Sequence, residues 1–140
     1  MIIGKLPYKS DLLRELNRFA KEHDVVAGFI QLIGSISRAR LSYYDQKTHA
    51  YQVMEFEQPY EIVSGTGNIS MRDGSPFAHL HLALSDKEGK VIGGHCLDGC
   101  TIFAAEFIIW PFTGPAPRRS LDPATGLLLW EKDSYREESR

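Results

Sequence analysis

Residues 65–99, GTGNISMRDGSPFAHLHLALSDKEGKVIGGHCLDG, hold three of the five histidines in this 140-residue chain. Two apolar runs lie within the stretch, PFAHLHLALS and VIGGHC. The Asp73-Gly74 turn precedes the first, and the turn-forming DKEGK at 86–90 separates the two. Short apolar runs bounded by turn residues of this kind predict antiparallel strands. Side chains alternate between the two faces of a strand, so His79 and His81 present both imidazoles on one side. His95, on the returning strand, can converge on them. Three neutral imidazoles can hold a transition metal, zinc or another divalent ion. With a position left open, the ion would carry water or a substrate group, which is the basis of metal-assisted hydrolysis.

Outward from this stretch, the period of the apolar residues changes once. Leu12, Leu13, Leu16, Phe19 and Ala20 share one helical face, with Ser10 and Asp11 as N-cap candidates. Beyond Val25 the chain reads as strands. VVAGFIQLIG is one run, RARLSYYD follows after a polar break, and THAYQVMEFE alternates as a half-buried antiparallel strand does. YEIVSGTGNIS and TIFAAEFIIW complete the set. One early amphipathic helix and six to eight strands predict an α+β domain built on a mostly antiparallel sheet. The domain is expected over residues 1–110. Residues 111–140 form a Pro/Gly-rich, charged extension, irregular at first, whose Leu127–Trp130 segment is expected to dock on the body or on a neighbouring subunit.

Composition narrows the functional classes. Hydrophobic residues make up 43% and charged residues 24%, the mix of a globular domain able to bury a core without staples. No apolar run is long enough to span a bilayer, so no membrane partner is expected and a cytoplasmic location is the default. Cys96 and Cys100 are the only cysteines, which rules out a disulfide framework and fits reduced thiols. The formal charge is −2, with acids and bases interspersed. A basic stripe of the kind that neutralises phosphates is not visible, which weighs against DNA binding by the bare chain.

Other candidates carry less. Glu61 and Glu106 sit in apolar strands, where a carboxylate either faces solvent or serves a site as a partner to an imidazole or a proton carrier. Cys96 follows His95 directly and should point to the opposite face. The glycines at 65, 67, 93 and 94 precede no helix, so they form no dinucleotide or phosphate-loop fingerprint and serve turns or close backbone approach. Arg118-Arg119 and the pair Arg38 and Arg40 are the only basic clusters. No further catalytic machinery is legible.

The elements EIVSGTGNIS (61–70), DGSPFAHLH (73–81) and GGH (93–95), in this order, resemble the PPC domain (plants and prokaryotes conserved), in its standalone prokaryotic form. The similarity covers about residues 4 to 110. It implies an α+β fold around an antiparallel sheet and a homotrimer assembled through the sheets. It also implies a zinc-like site near the subunit interface at His79, His81 and His95. The family's DNA-binding label comes from plant relatives that carry AT-hook segments. This chain has no such hook, since PAPRRS (115–120) is not one. Expected is therefore a trimeric DNA-binding or regulatory module with a metal site. The alternative is a metal-dependent hydrolase or lyase acting on an unknown small molecule. Cupins also place H-x-H on a strand, but the long early helix and the short interval from His81 to His95 do not suit their spacing.

Overall fold

The computed structural model describes residues 1–137. Nine strands and one helix follow in the order β1 (Ile2–Leu6), α1 (Leu12–Glu22), β2 (Gly28–Asp45), β3 (Ala50–Phe56), β4 (Tyr60–Arg72), β5 (Ser75–Ser85), β6 (Val91–Cys96), β7 (Thr101–Pro111), β8 (Arg119–Leu121) and β9 (Leu128–Trp130). The fold is α+β with an antiparallel sheet and one short helix, as the period change predicts.

Helix α1 begins where Asp11 accepts a hydrogen bond from the Arg14 amide at 2.9 Å, satisfying one of the donors left free at a helix start. Its buried face, Leu12, Leu13, Leu16 and Ala20, packs onto the sheet. Phe19 meets Phe107 edge-on at 4.8 Å between ring centroids, and the Asn17 side chain accepts from the Ala78 amide at 2.7 Å. The second contact ties the helix to the strand that carries two of the histidines.

The sequence predicts two strands between Val25 and Asp45, with a polar break between them. The structure instead has a single 18-residue strand, β2. The break is absorbed by β-bulges, seen as register shifts at Leu32/Gly34 and between Ser35 and Arg38. Gly34 takes φ +143°, and a Cβ there would collide with the Ala104 carbonyl. A bulge bends a strand without ending it, and β2 becomes the spine of the sheet. β7 and then β6 pair along one edge of it, and β4 and then β3 along the other. Because β4 pairs with β5, and β5 with β6, the path returns to β2 through Leu41↔Cys96 and Ser42↔His95. The sheet closes on itself.

One face of this circuit is the core. Ile30, Leu80, Leu84, Leu41 and Ile109 are fully buried, each contributing about 1.5–3 kcal/mol relative to exposure. Cys96 and Cys100 lie in the same core as free thiols, so Cys96 does face away from its neighbour His95.

The extension departs from the expected irregular chain. Its β8 and β9 form a hairpin, closed by a turn in which Asp122 accepts from the Thr125 amide and hydroxyl. The Tyr44 hydroxyl donates to the Thr125 carbonyl at 2.6 Å, and the Met71 amide donates to the Pro117 carbonyl at 2.7 Å. The arm is thereby fastened at both ends to the sheet.

Gly67 stands where β4 passes β5, and a Cβ there would strike the His79 carbonyl oxygen. Gly67→Ala should therefore destabilise the chain by about 1–3 kcal/mol, the usual cost of overpacking. Urea denaturation would show this as a lowered midpoint at unchanged slope.

Candidate metal centre

Strand register places the three histidines together. Across the sheet, Ile3, Ile108, Gln31, Thr66, His81, His95 and Ser42 are successive partners, so all project from the face away from the core. The next row contains Trp110, Phe29, Asn68 and His79. His79 and His81 are neighbours along β5, and His95 is directly opposite His81. Ring centroids are 4.9 to 5.4 Å apart across the trio.

The spacing suits one ion. Nε2 of His79 and Nε2 of His81 are 3.3 Å apart. Two nitrogens each about 2.0–2.1 Å from a tetrahedral zinc are separated by about 3.3–3.4 Å, so this pair already stands at the edge length of a coordination tetrahedron. One ring nitrogen from each of the three residues lies within 4.8 Å of the others. Three such ligands would leave a fourth position of a tetrahedral ion open.

Electrostatics keep the nitrogens available. The His79 imidazole is pushed down from its ordinary 6.5 to about 4, first by burial and then by the charge of Arg119. His95 is likewise pushed down to about 4, by burial, then by His81 and Arg119. Both rings are neutral near pH 7, the form that binds a metal.

Arg119, on β8, is the residue that spacing alone does not bring to the site. Its Nε donates to Ser70 Oγ at 2.8 Å and its Nη2 to Asn68 Oδ1 at 2.8 Å. Nη1 donates to the Leu128 carbonyl at 2.9 Å, and Nη2 also lies 3.4 Å from His79 Nδ1. All four partners are neutral. Guanidinium only donates, so this last contact is a hydrogen bond only while His79 Nδ1 is the accepting nitrogen and Nε2 carries the proton. A metal on His79 Nε2 requires the opposite tautomer, with Nδ1–H facing Arg119. Metal binding and the Arg119–His79 hydrogen bond exclude each other.

The trio opens into a cleft of about 660 Å³. Its walls are apolar and aromatic, with Tyr44, Tyr51, Phe77 and Leu127–Leu129, and Arg72 and Arg119 stand at one side. Neither Glu61 nor Glu106 lines it. Glu61 is opposite Ser85, four residues along β5 from His81, a distance of about 13 Å at strand rise. Glu106 is on β7, separated from β5 by β2 and β4, and lines a different depression with Lys5 and Ile33. Within the chain, neither is brought to the imidazoles.

Fold and site together describe a mostly antiparallel, one-helix domain carrying a cluster of three histidines beside a cleft. The chain belongs to the Plants and Prokaryotes Conserved (PCC) domain family, which it matches over residues 1–113. It is similar to a metal-containing protein from Archaeoglobus fulgidus, with 40% identity, a TM-score of 0.90, and 94% of this chain and 92% of that one covered. A plant- and prokaryote-conserved protein from Pyrococcus horikoshii is 30% identical at a TM-score of 0.89, covering 96% of this chain and 92% of the other. A Bacteroides thetaiotaomicron structure called a "putative dna binding protein" is 29% identical at 0.86, covering 92% of this chain and 90% of that one. Among curated proteins, a "Bifunctional protein GlmU" from Synechococcus is 39% identical over 120 residues, 84% of this chain. The match spans only 18% of that relative's length.

The depressed histidines give a pH dependence with a definite sign. Below about 6.5 the unfolded chain takes up protons that folded His79 and His95 refuse. Their contribution to stability is therefore full above about pH 6.5 and is lost as the pH falls through about 4. Melting temperatures of metal-free protein should fall across this window more steeply in the wild type than in His79→Gln/His95→Gln. Parallel curves would contradict the assignment.

Proposed function

We propose that this chain is a metal-binding module in which His79, His81 and His95 hold one divalent transition ion, zinc by preference, at the floor of the cleft. The observation that carries this reading is the 3.3 Å separation of the His79 and His81 Nε2 atoms in a cluster where burial keeps His79 and His95 neutral. An all-imidazole donor set of three suits zinc, and the open fourth position would let the ion polarise whatever binds beside it. Supporting it from outside is the similar archaeal protein described as metal-containing.

The module is further proposed to act as a homotrimer in the cytoplasm, with residues 1–110 as its body and 111–140 as an arm. The sheet face that carries the histidines also exposes Ile3 (70%), Ile33 (55%) and Phe29 (45%), an apolar surface that monomers seldom leave uncovered. Copies of the chain would cover it, and with it the free edge of β1. No helix is long and apolar enough to cross a membrane.

A regulatory role at DNA is the second reading, supported by the name of the Bacteroides neighbour. The charge layout disfavours direct contact. Arg38 pairs with Glu57 at 2.6 Å, Arg40 with Glu55 at 2.9 Å, and Arg14 with Asp98 at 2.9 Å, so these three arginines are offset where they stand. The hydrolase or lyase alternative needs a proton carrier, and the cleft supplies no carboxylate for that task among the described residues.

Elemental analysis of untagged protein should find close to one zinc per chain, lost in His79→Ala/His81→Ala with the fold retained. Absence of metal even after reconstitution would remove this reading. Light scattering should give three times the chain mass, and Ile33→Glu, which sets a second carboxylate beside Glu106, should shift it toward the monomer. Fluorescence anisotropy with duplex DNA at low salt decides the second reading, since a phosphate-binding protein shows steep salt dependence there.

A further inference from the structure

Three observations about the cleft concern charge and unfilled hydrogen-bonding capacity rather than the metal itself. First, its lining contains Arg72 and Arg119 and no Asp or Glu among the described residues. Arg72 has Asp73 at 3.5 Å, but Asp73 is exposed and outside the cleft, while the partners of Arg119 are all neutral. Arg119 is half-buried, and no carboxylate stands among its hydrogen-bond partners, so it is a cation without a counter-charge beside it. Adding a divalent ion on the three imidazoles raises the positive charge further.

Second, Ser42 also lines the cleft at 2% exposure, and its Oγ is buried without a hydrogen-bond partner. It stands directly opposite His95 across the β2–β6 pair, on the same face. A buried hydroxyl left unpaired costs free energy, and a native chain rarely keeps one without a use. Third, the walls are apolar. Both arginines lie over the Phe77 ring, at 5.0 and 5.8 Å, and Leu127–Leu129 and Tyr51 complete the enclosure. A cleft of about 660 Å³ matches a small organic ligand rather than a polymer.

We infer that the cleft binds a small organic carboxylate, an apolar or aromatic body bearing one anionic group, with Arg119 as the residue that recognises the anion beside the metal. This rests on the metal reading above and specifies what the open coordination position would face. Arg119 suits the task because a guanidinium matches a carboxylate with two parallel donors. Metal binding would also free one of its N–H groups. Once His79 Nδ1 carries the proton, Nη2 loses that acceptor and can turn to a ligand. The residue lies on the arm, beyond the residues 1–113 of the family match, so this anion contact is supplied by the extension.

The test is calorimetric titration of zinc-loaded, full-length protein with benzoate, hydrocinnamate and succinate, beside benzyl alcohol as a neutral match and inorganic phosphate as a bare anion. Zinc content is measured on every sample. The aryl carboxylates should bind, benzyl alcohol should not, and Arg119→Gln should weaken binding about tenfold or more at unchanged zinc content. Arg119→Lys, which keeps the charge but not the fork, should fall between. Circular dichroism of both variants establishes that the arm and sheet are folded, and Arg72→Gln repeats the test from a side chain outside the hairpin. Full zinc with no carboxylate binding, equal binding by Arg119→Gln, or preference for phosphate would overturn the carboxylate assignment and leave the metal reading standing. Wild type that holds no zinc would remove the metal reading. Titration of that metal-free protein would still decide whether the cleft binds the anion.

Discussion

Where Leu41 and Ser42 pair with Cys96 and His95, the sheet meets itself. Without that junction β6 would be an edge strand, held only by β5 and by the turn at residues 86–90. With it, β6 is bonded on both sides and its register cannot slip. A slip of one residue would send His95 into the core and Cys96 to the cleft, because side chains alternate strictly. The placement of the third imidazole thus depends on backbone pairing at a distant part of β2, and that pairing depends on the bulges that bend β2 without interrupting it. The core side obeys the same register: Leu80, Leu82 and Leu84 fill one face of β5 while His79 and His81 occupy the other.

The electrostatic design of the cleft follows from burial. Imidazoles moved out of water favour the neutral form, so His79 and His95 are ready for an ion without first losing protons. The same burial leaves the Arg119 charge expensive, held by a hydroxyl, an amide, a carbonyl and the His79 ring, all neutral. Arg18, by contrast, is neutralised on the surface between Glu15 and Glu22. Arg119, half-buried in the cleft, has only neutral partners.

Much of this was legible in the chain itself, and for stated reasons. H-x-H on a strand fixes two side chains to one face whatever the fold, and a short turn returns His95 to the same neighbourhood. Helix α1 is legible because five apolar residues recur at its period and Asp11 can cap it. The continuity of β2 was not legible, because a Gly-Ser-rich interval reads as a loop unless one knows that both neighbouring strands keep pairing across it. Glu61 and Glu106 illustrate a different limit. Their position in apolar strands says that they face away from the core, which is correct, but the row a residue occupies depends on the pairing of other strands. In the sequence Arg119 reads only as half of a basic pair with Arg118. The signal that could have found it is the DPATG turn flanked by SL and LLLW, which folds residues 119–130 back on themselves.

The hairpin arm also separates two kinds of information. The imidazoles are embedded in strands whose pairing the whole sheet enforces, so a change there is felt throughout the fold. The arm is fastened by a few hydrogen bonds at Tyr44, Met71 and Ser70, and the core packs without it. Substitutions in β8 and β9 can therefore reshape the rim of the cleft at little cost to folding. Among chains sharing this framework, the floor of the cleft is expected to drift slowly and its rim quickly, so selectivity can diversify while the metal chemistry stays fixed.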